Sequence, residues 1–136
     1  MKMEEGRELV SRTDETPPMQ TAERAKRFAV RVIRLCQWLE ATPGVQRTLS
    51  HQLLRAGTSI GANLHEAQSA HSRADFLSKL TIALKEARET AYWLEIMVRR
   101  ELVRAEGLHD LLEELDELTR ILVASIVTAK KGKEAS

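Results

Sequence analysis

Chain-breaking residues, aromatic residues and cysteine are all scarce in this sequence. Its 136 residues include six glycines, three prolines and one cysteine, and only 4% are aromatic. Sheet proteins use more aromatic residues and loop-rich proteins use more glycine and proline, so the composition favours a helical chain. The single cysteine, Cys36, cannot form a disulfide within the chain. It lies among apolar helical positions, and we interpret it as a small core residue.

Long apolar runs and a sizeable net charge are missing as well. No stretch approaches the roughly 20 apolar residues that span a bilayer, and the acidic, polar N-terminus lacks the hydrophobic run of a secretory signal. The formal net charge of +1 gives no overall attraction to nucleic acid or to an anionic membrane. We therefore expect a soluble, cytoplasmic protein of one domain, with no membrane partner.

Apolar residues that recur every three or four positions predict four helices joined by short turns. Short connections make consecutive helices antiparallel neighbours, so the predicted fold is all-α, an antiparallel up-down-up-down four-helix bundle. We expect a flexible N-terminal arm over 1–19, the bundle over 20–131 and a charged tail over 132–136. Within the bundle, the predicted helices cover about 20–41, 43–70, 73–101 and 107–130.

Three local patterns indicate where these helices start. Thr42 is suited to cap the second helix, with Pro43 at its first position. Ser72 followed by Asp75 resembles a capping box and predicts the start of the third helix. Gly107 is expected in the turn that precedes the fourth helix.

The second predicted helix carries a polar stripe beside an apolar one. If its turn to the third helix lies near 70–72, Arg55 is level with Glu86 and Glu89, and a buried Arg55 would have to be paired with a carboxylate. We interpret the stripe and its partners as a structural polar network. Two alternatives stay open, namely a binding or catalytic site built from Arg55 and the two glutamates, and a solvated face. The predicted network comprises Gln52, Arg55, Ser59, Asn63, Glu66, Glu86, Glu89 and Thr90.

Two glycines in the same helix, Gly57 and Gly61, lie four residues apart. Each costs about 1 kcal/mol relative to alanine in a helix. Close approach of a neighbouring backbone is the simplest reason for both.

Patterns typical of enzymes and metal sites are not found. Di-metal bundles need Glu-x-x-His pairs, and no such pair occurs. His65-Glu66 begins like a zinc-protease motif, but Ser69 stands where the second histidine is required. We therefore expect no enzyme activity, no metal, no cofactor and no small-molecule substrate.

Charge is unevenly distributed along the chain. Five basic and two acidic residues over 20–41 give +3, whereas two basic and six acidic residues over 102–128 give −4. One hypothesis is that these charges compensate within or between subunits. The other is a nucleic-acid contact that lacks interleaved aromatic residues and therefore binds mainly phosphates in a salt-sensitive way. The candidate contact residues are Arg24, Lys26, Arg27, Arg31, Arg34, Lys130 and Lys131.

Apolar residues also exceed what one core-facing stripe per helix requires. A second apolar stripe on several helices predicts self-association. The surplus residues are Val30, Ile33, Ile82, Trp93, Ile96, Ile121, Val123 and Val127.

Two segments of the sequence resemble the signature of a known bacterial family, the 23S rRNA intervening-sequence proteins. The first is QLLRAGTSIGAN over 52–63, followed by Glu66-Ala67, where many members have Gly in place of Ala67. The second is Asp75-Phe76-Leu77, followed by ALKEA over 83–87, Glu89-Thr90 and Tyr92-Trp93-Leu94. The similarity covers about 20–131.

The resemblance implies an antiparallel four-helix bundle that forms a ring-like homopentamer. Some members of the family are encoded inside insertions in rRNA genes, which gave the family its ribosomal label. A related branch, the accessory proteins of diversity-generating retroelements, is similar in fold and binds a reverse transcriptase and nucleic acid through a markedly basic surface. This chain differs in its net charge and its acidic fourth helix. The expected function is thus a non-enzymatic oligomeric scaffold or adaptor associated with ribosomes or rRNA. The alternative is a nucleic-acid-binding accessory protein acting through the first helix and the C-terminal tail.

Overall fold

The structure, a computed structural model, describes residues 18–135 and the side-chain surroundings of 20–132. Four helices account for nearly all of this range, and it contains no strand. They are α1 (Pro18–Glu40), α2 (Val45–Ala67), α3 (Arg73–Arg99) and α4 (Ala105–Ala135). Most of the predicted N-terminal arm over 1–19 lies outside the described residues, and its last two positions belong to α1.

Consecutive helices pack against each other, and α1 also contacts α4, so the predicted four-helix bundle is confirmed. Contacts between α1 and α2 pair later residues of one with earlier residues of the other: Cys36 with Ser50 and Val32 with Gly57. These two helices are therefore antiparallel. The up-down-up-down order of the complete bundle stays a prediction. None of the helices over 18–135 has the length and apolar character needed to cross a membrane.

The core is formed by one apolar stripe from each helix. Its largest fully buried side chains are Phe28, Val32, Leu39, Leu53, Ile60, Leu94, Met97, Leu118 and Leu122. Cys36 is buried as predicted. Its thiol donates to the Ser50 carbonyl at 3.4 Å, and the Ser50 hydroxyl donates to the Cys36 carbonyl at 3.3 Å. This reciprocal pair joins the C-terminal half of α1 to the first turns of α2.

Both helical glycines lie where α2 meets α1. A Cβ atom at Gly57 would lie 2.9 Å from Val32 Cγ1, and one at Gly61 would lie 3.4 Å from the Ala25 backbone. The close approach predicted from these two glycines is therefore present at both positions, and it is tighter at Gly57.

The predicted start of α2 is wrong. Thr42 closes the last turn of α1 by donating its N–H to the Leu39 carbonyl, and Gly44 is the residue before the helix. Gly44 has φ +108°, a conformation that glycine adopts at low cost. Its carbonyl accepts from the N–H groups of Arg47 and Thr48. Gly44 is therefore the N-cap residue of α2, the position predicted for Thr42.

The capping residue of α3 is as predicted, while α4 differs at both ends. Ser72 Oγ accepts from the Asp75 N–H at 3.0 Å, and the Asp75 carboxylate accepts from the His71 N–H at 3.3 Å. Gly107 lies inside the first turn of α4 instead of in a loop. The helix also continues through 132–135, which was predicted as part of the tail. At Gly132 the guanidinium of Arg73 lies beside the backbone, in the space that a Cβ atom would need.

Candidate functional site

Arg55 of α2 forms two ion pairs with α3. Its Nη1 donates to Glu86 Oε2 at 3.0 Å, and its Nη2 donates to Glu89 Oε2. Glu89 Oε2 also accepts from Trp93 Nε1 at 3.1 Å. The exposed fraction of the side chain is 51% for Arg55, 7% for Glu86 and 28% for Glu89. The structure thus brings together the three residues that the sequence placed at one level, but the guanidinium is half exposed.

Three other residues of the predicted network bond within their own helices. Ser59 Oγ donates to the Arg55 carbonyl at 2.6 Å, and Asn63 Nδ2 donates to the Ser59 carbonyl at 2.8 Å. Thr90, which is fully buried, donates to the Glu86 carbonyl at 2.7 Å. Such bonds to the carbonyl four residues earlier satisfy polar side chains locally.

Gln52 and Glu66 are exposed and form no cross-helix bond among the described residues. The predicted network is therefore narrower in the structure. Its only bonds between α2 and α3 are those of Arg55 with Glu86 and Glu89.

Two surface cavities lie elsewhere on the bundle. One, of about 860 Å³, is between the start of α3 and the second half of α4, and the other, of about 560 Å³, is between α1 and α2. Neither is lined by Arg55, Glu86 or Glu89. Because both carboxylates are held by an arginine and neither of these two cavities reaches the cluster, its geometry fits a clamp between helices better than a catalytic site.

One group of possible metal ligands is present that the sequence reasoning did not identify. In the described part of the chain, ligand atoms of His109, Asp110 and Glu113 lie within 4.8 Å of one another. His109 and Glu113 are exposed on α4 and already pair, with His109 Nε2 2.5 Å from Glu113 Oε1. Such exposed pairs one helical turn apart are common on helices without metal.

The candidate nucleic-acid residues fall into two groups. Arg24 is bound to Glu114 of α4 by two hydrogen bonds, from Nε at 3.0 Å and from Nη2 at 2.9 Å, and its side chain is only 13% exposed. These bonds raise the pKa of Arg24 above its usual value. Arg24 is therefore removed from the candidate contact residues, because its charge is already neutralised within the chain.

The remaining candidates are on the surface. Arg27 forms an exposed pair with Glu23 at 3.4 Å, one turn away. Lys26, Arg31 and Arg34 are exposed, and none of them has an ion-pair partner within the described range. Lys130 and Lys131 are exposed near the end of α4.

An exposed tryptophan lies beside these arginines. Trp38 is 63% exposed and stands four residues after Arg34 and seven after Arg31, on the same face of α1. No aromatic residue interleaved with the basic residues was expected for base stacking, and Trp38 lies one turn beyond the last of them. The signal in the sequence is the spacing of Trp38 from the arginines, because steps of four and seven residues place it on their side of the helix.

The surplus apolar residues divide by exposure. Three of them, Trp93, Ile96 and Ile121, are half-buried. The other five are exposed on α1, α3 and α4: Val30, Ile33, Ile82, Val123 and Val127, with exposed fractions of 38% to 46%.

Comparison with known proteins gives consistent results. The profile of the family described as 23S rRNA-intervening sequence protein matches residues 18–124. A solved structure of a protein with unknown function from the S23 ribosomal protein family, from Bacteroides thetaiotaomicron VPI-5482, is 42% identical. The match covers 78% of this chain and 97% of that chain, with a TM-score of 0.73. No curated protein matches the chain.

Proposed function

The chain belongs to the 23S rRNA-intervening sequence protein family, and from this premise we propose that it is a non-enzymatic oligomeric scaffold or adaptor that associates with ribosomal RNA. The observation that carries the oligomeric part is the set of exposed apolar residues on three different helices. β-branched side chains with 38% to 46% exposure on α1, α3 and α4 add apolar surface that the core of one subunit does not use. Closed symmetric assembly is the commonest way to bury such surface. Five copies is the state that the family resemblance implies.

The non-enzymatic part of the proposal is supported by how the polar residues are satisfied. The one buried carboxylate of the predicted network, Glu86, is bound to Arg55, and Thr90 is bound to the backbone. A general acid or base must reach a substrate. Neither of these groups lines a described cavity.

The oligomeric part is tested by the mass of the full-length protein in solution. Sedimentation velocity at micromolar concentration should give a multimer, with five copies as the expected number. A charge placed in the apolar surface should dissociate it, so Ile33→Glu and Val127→Glu should sediment as smaller species. Val45→Glu is a matched control, because Val45 is 73% exposed but lies outside the predicted surface. A wild-type protein that sediments as a single subunit would contradict the proposal.

Association with ribosomal RNA is tested separately. Purified protein should pellet with ribosomes at low salt and be released as the salt concentration rises, because contacts with phosphate are screened. No pelleting at the lowest salt concentration would remove the RNA part and leave the oligomer untouched.

A second candidate function is a nucleic-acid-binding accessory protein acting through α1 and the C-terminal residues. The observation that favours it is the exposure of Arg31, Arg34, Lys130 and Lys131. In that case purified protein should bind deproteinised RNA as tightly as it binds ribosomes.

A further inference from the structure

The outward side of α1 combines three arginines with one exposed tryptophan. We propose that this α1 outer face, formed by Arg27, Arg31, Arg34 and Trp38, binds single-stranded RNA, with the arginines on phosphates and Trp38 stacked on a base. The inference rests on the RNA association proposed above and adds the site and the type of RNA. It differs from the phosphate-only contact expected from the sequence, because the structure supplies the aromatic residue.

Helix geometry places the four side chains in one row. They follow each other at steps of four, three and four residues, and all are exposed. At 1.5 Å per residue, the row is about 16 Å long. The opposite side of α1 carries the buried residues Phe28, Val32 and Cys36, so the helix cannot rotate to hide the row.

The cations in the row are available to a ligand. Arg31 and Arg34 have no ion-pair partner among the side chains of residues 20–132. Arg27 has only its exposed pair with Glu23, at 3.4 Å, and the two side chains are each 53% exposed. Pairs of this kind contribute a few tenths of a kcal/mol and are easily exchanged for phosphate. By contrast Arg24, one turn earlier, is held by Glu114.

The ring of Trp38 is also available. In the described part of the chain the one aromatic contact joins Tyr92 and Trp93, at 5.1 Å and 75°. Trp38 is therefore free to stack on a ligand, and it is 63% exposed. Stacking of a base on an aromatic side chain contributes about 1–3 kcal/mol and tolerates any base.

The arginines together with the Trp38 ring indicate which class of ligand fits the α1 outer face. A second copy of the same face would bring like charges together, which disfavours self-association through it. In duplex RNA the bases are stacked on each other, and only single-stranded segments present a free base for an aromatic side chain. Arginines for phosphate and one stacking ring therefore fit single-stranded RNA best.

Binding is measured with the full-length protein and a fluorescein-labelled single-stranded RNA of about 12 nucleotides, within the usual range of site sizes. The same sequence closed into a hairpin duplex is the comparison. Trp38→Ala should bind the single strand about 5- to 150-fold more weakly than the wild type, because it loses the stacking of one base. Trp38→Phe should retain most of the affinity. Quenching of tryptophan fluorescence by RNA should be lost in Trp38→Phe, which still contains Trp93.

The arginines are tested through salt dependence. With three phosphate contacts the slope of log K against log salt should be about −2, and Arg31→Ala should make it shallower by about 0.7. Two control variants should bind like the wild type. Arg120→Ala removes an exposed arginine that is paired with Asp116 at 3.0 Å, and Val45→Ala removes an exposed apolar side chain.

Three results would overturn the proposal. They are equal affinities of Trp38→Ala and Val45→Ala for the single strand, tighter binding of the duplex, and a salt slope that Arg31→Ala leaves unchanged. If the wild type pellets with ribosomes as a multimer while Trp38→Ala binds single-stranded RNA normally, this site is wrong and the proposed function stands. If the wild type neither pellets with ribosomes nor forms a multimer, the proposed function itself fails.

Discussion

Replacing Gly57 by alanine tests how closely α1 and α2 are packed. An added Cβ atom would lie 2.9 Å from Val32 Cγ1, 3.0 Å from Cγ2 and 3.3 Å from Cβ. All three contacts are with one β-branched side chain, which has a single preferred rotamer in a helix and cannot swing aside. Val32 is fully buried, so the helices themselves would have to move apart.

The magnitude follows from two opposing effects. Overpacking a well-packed core costs about 1–3 kcal/mol, whereas alanine in a helix gains about 1 kcal/mol over glycine. Gly57→Ala should therefore change the free energy of unfolding by a net loss of about 0–2 kcal/mol. Gly61→Ala is the matched control, because its Cβ would meet the Ala25 backbone and side chain at 3.4–3.5 Å, an ordinary contact distance.

The difference between the two variants isolates the packing effect. Both gain the same helix propensity, so Gly57→Ala should be less stable than Gly61→Ala by about 1–3 kcal/mol. Urea unfolding followed by circular dichroism measures this difference, at one protein concentration because self-association makes stability depend on concentration. Val32→Ala should cost less in the Gly57→Ala background than in the wild type, because it removes the side chain that the added methyl group meets. Equal stability of the two glycine variants would refute the close approach at Gly57.

Three further predictions concern single contacts. Arg55→Ala should cost about 1–2 kcal/mol, because its own side chain is 51% exposed but its removal leaves the carboxylate of Glu86, 7% exposed, without its partner; a urea midpoint equal to that of the wild type would contradict this. Ser72→Ala should lose about 1 kcal/mol as the cap of α3 is removed, whereas Ser69→Ala, which removes no cap, should have no effect in the same assay. Burial raises the pKa of the Cys36 thiol from its usual 9.0, so the contribution of the neutral thiol to the free energy of unfolding is complete below about pH 9 and is lost as pH rises through the raised pKa. Urea unfolding at increasing pH should therefore show a steeper fall in the free energy of unfolding for the wild type than for Cys36→Ala. Parallel curves for the two proteins would contradict this prediction.

The bundle could be predicted from the sequence because apolar spacing is repeated over many residues in every helix. Helix starts depend on one or two residues and were harder to predict. Ser72 and Asp75 behave as their pattern indicates, but Thr42 and Pro43 do not cap α2. Gly44, with φ +108°, changes the chain direction there. A glycine conformation of this kind leaves no periodic signal in the sequence.

The polar stripe of α2 shows a different limit. Its spacing correctly placed Arg55 near Glu86 and Glu89, because a count from the turn fixes which residues are level. Spacing alone does not show whether a polar side chain bonds across helices or to its own backbone. Ser59 and Asn63 bond to carbonyls four residues earlier, and a short hydroxyl or amide side chain has that alternative in any helix.

The net charge of the whole chain does not describe the charge on the surface of α1. The net charge of +1 argued against nucleic-acid binding, yet it counts carboxylates that are committed to particular partners. Glu114 holds Arg24, and Asp116 is paired with Arg120 on α4. Arg31 and Arg34 are left without a partner among the described residues. A phosphate near α1 therefore meets a local excess of positive charge, because screening beyond about 10 Å reduces the influence of distant carboxylates. For the RNA contact proposed at this face, the relevant charge is that of the cations next to Trp38 and not the total over the chain.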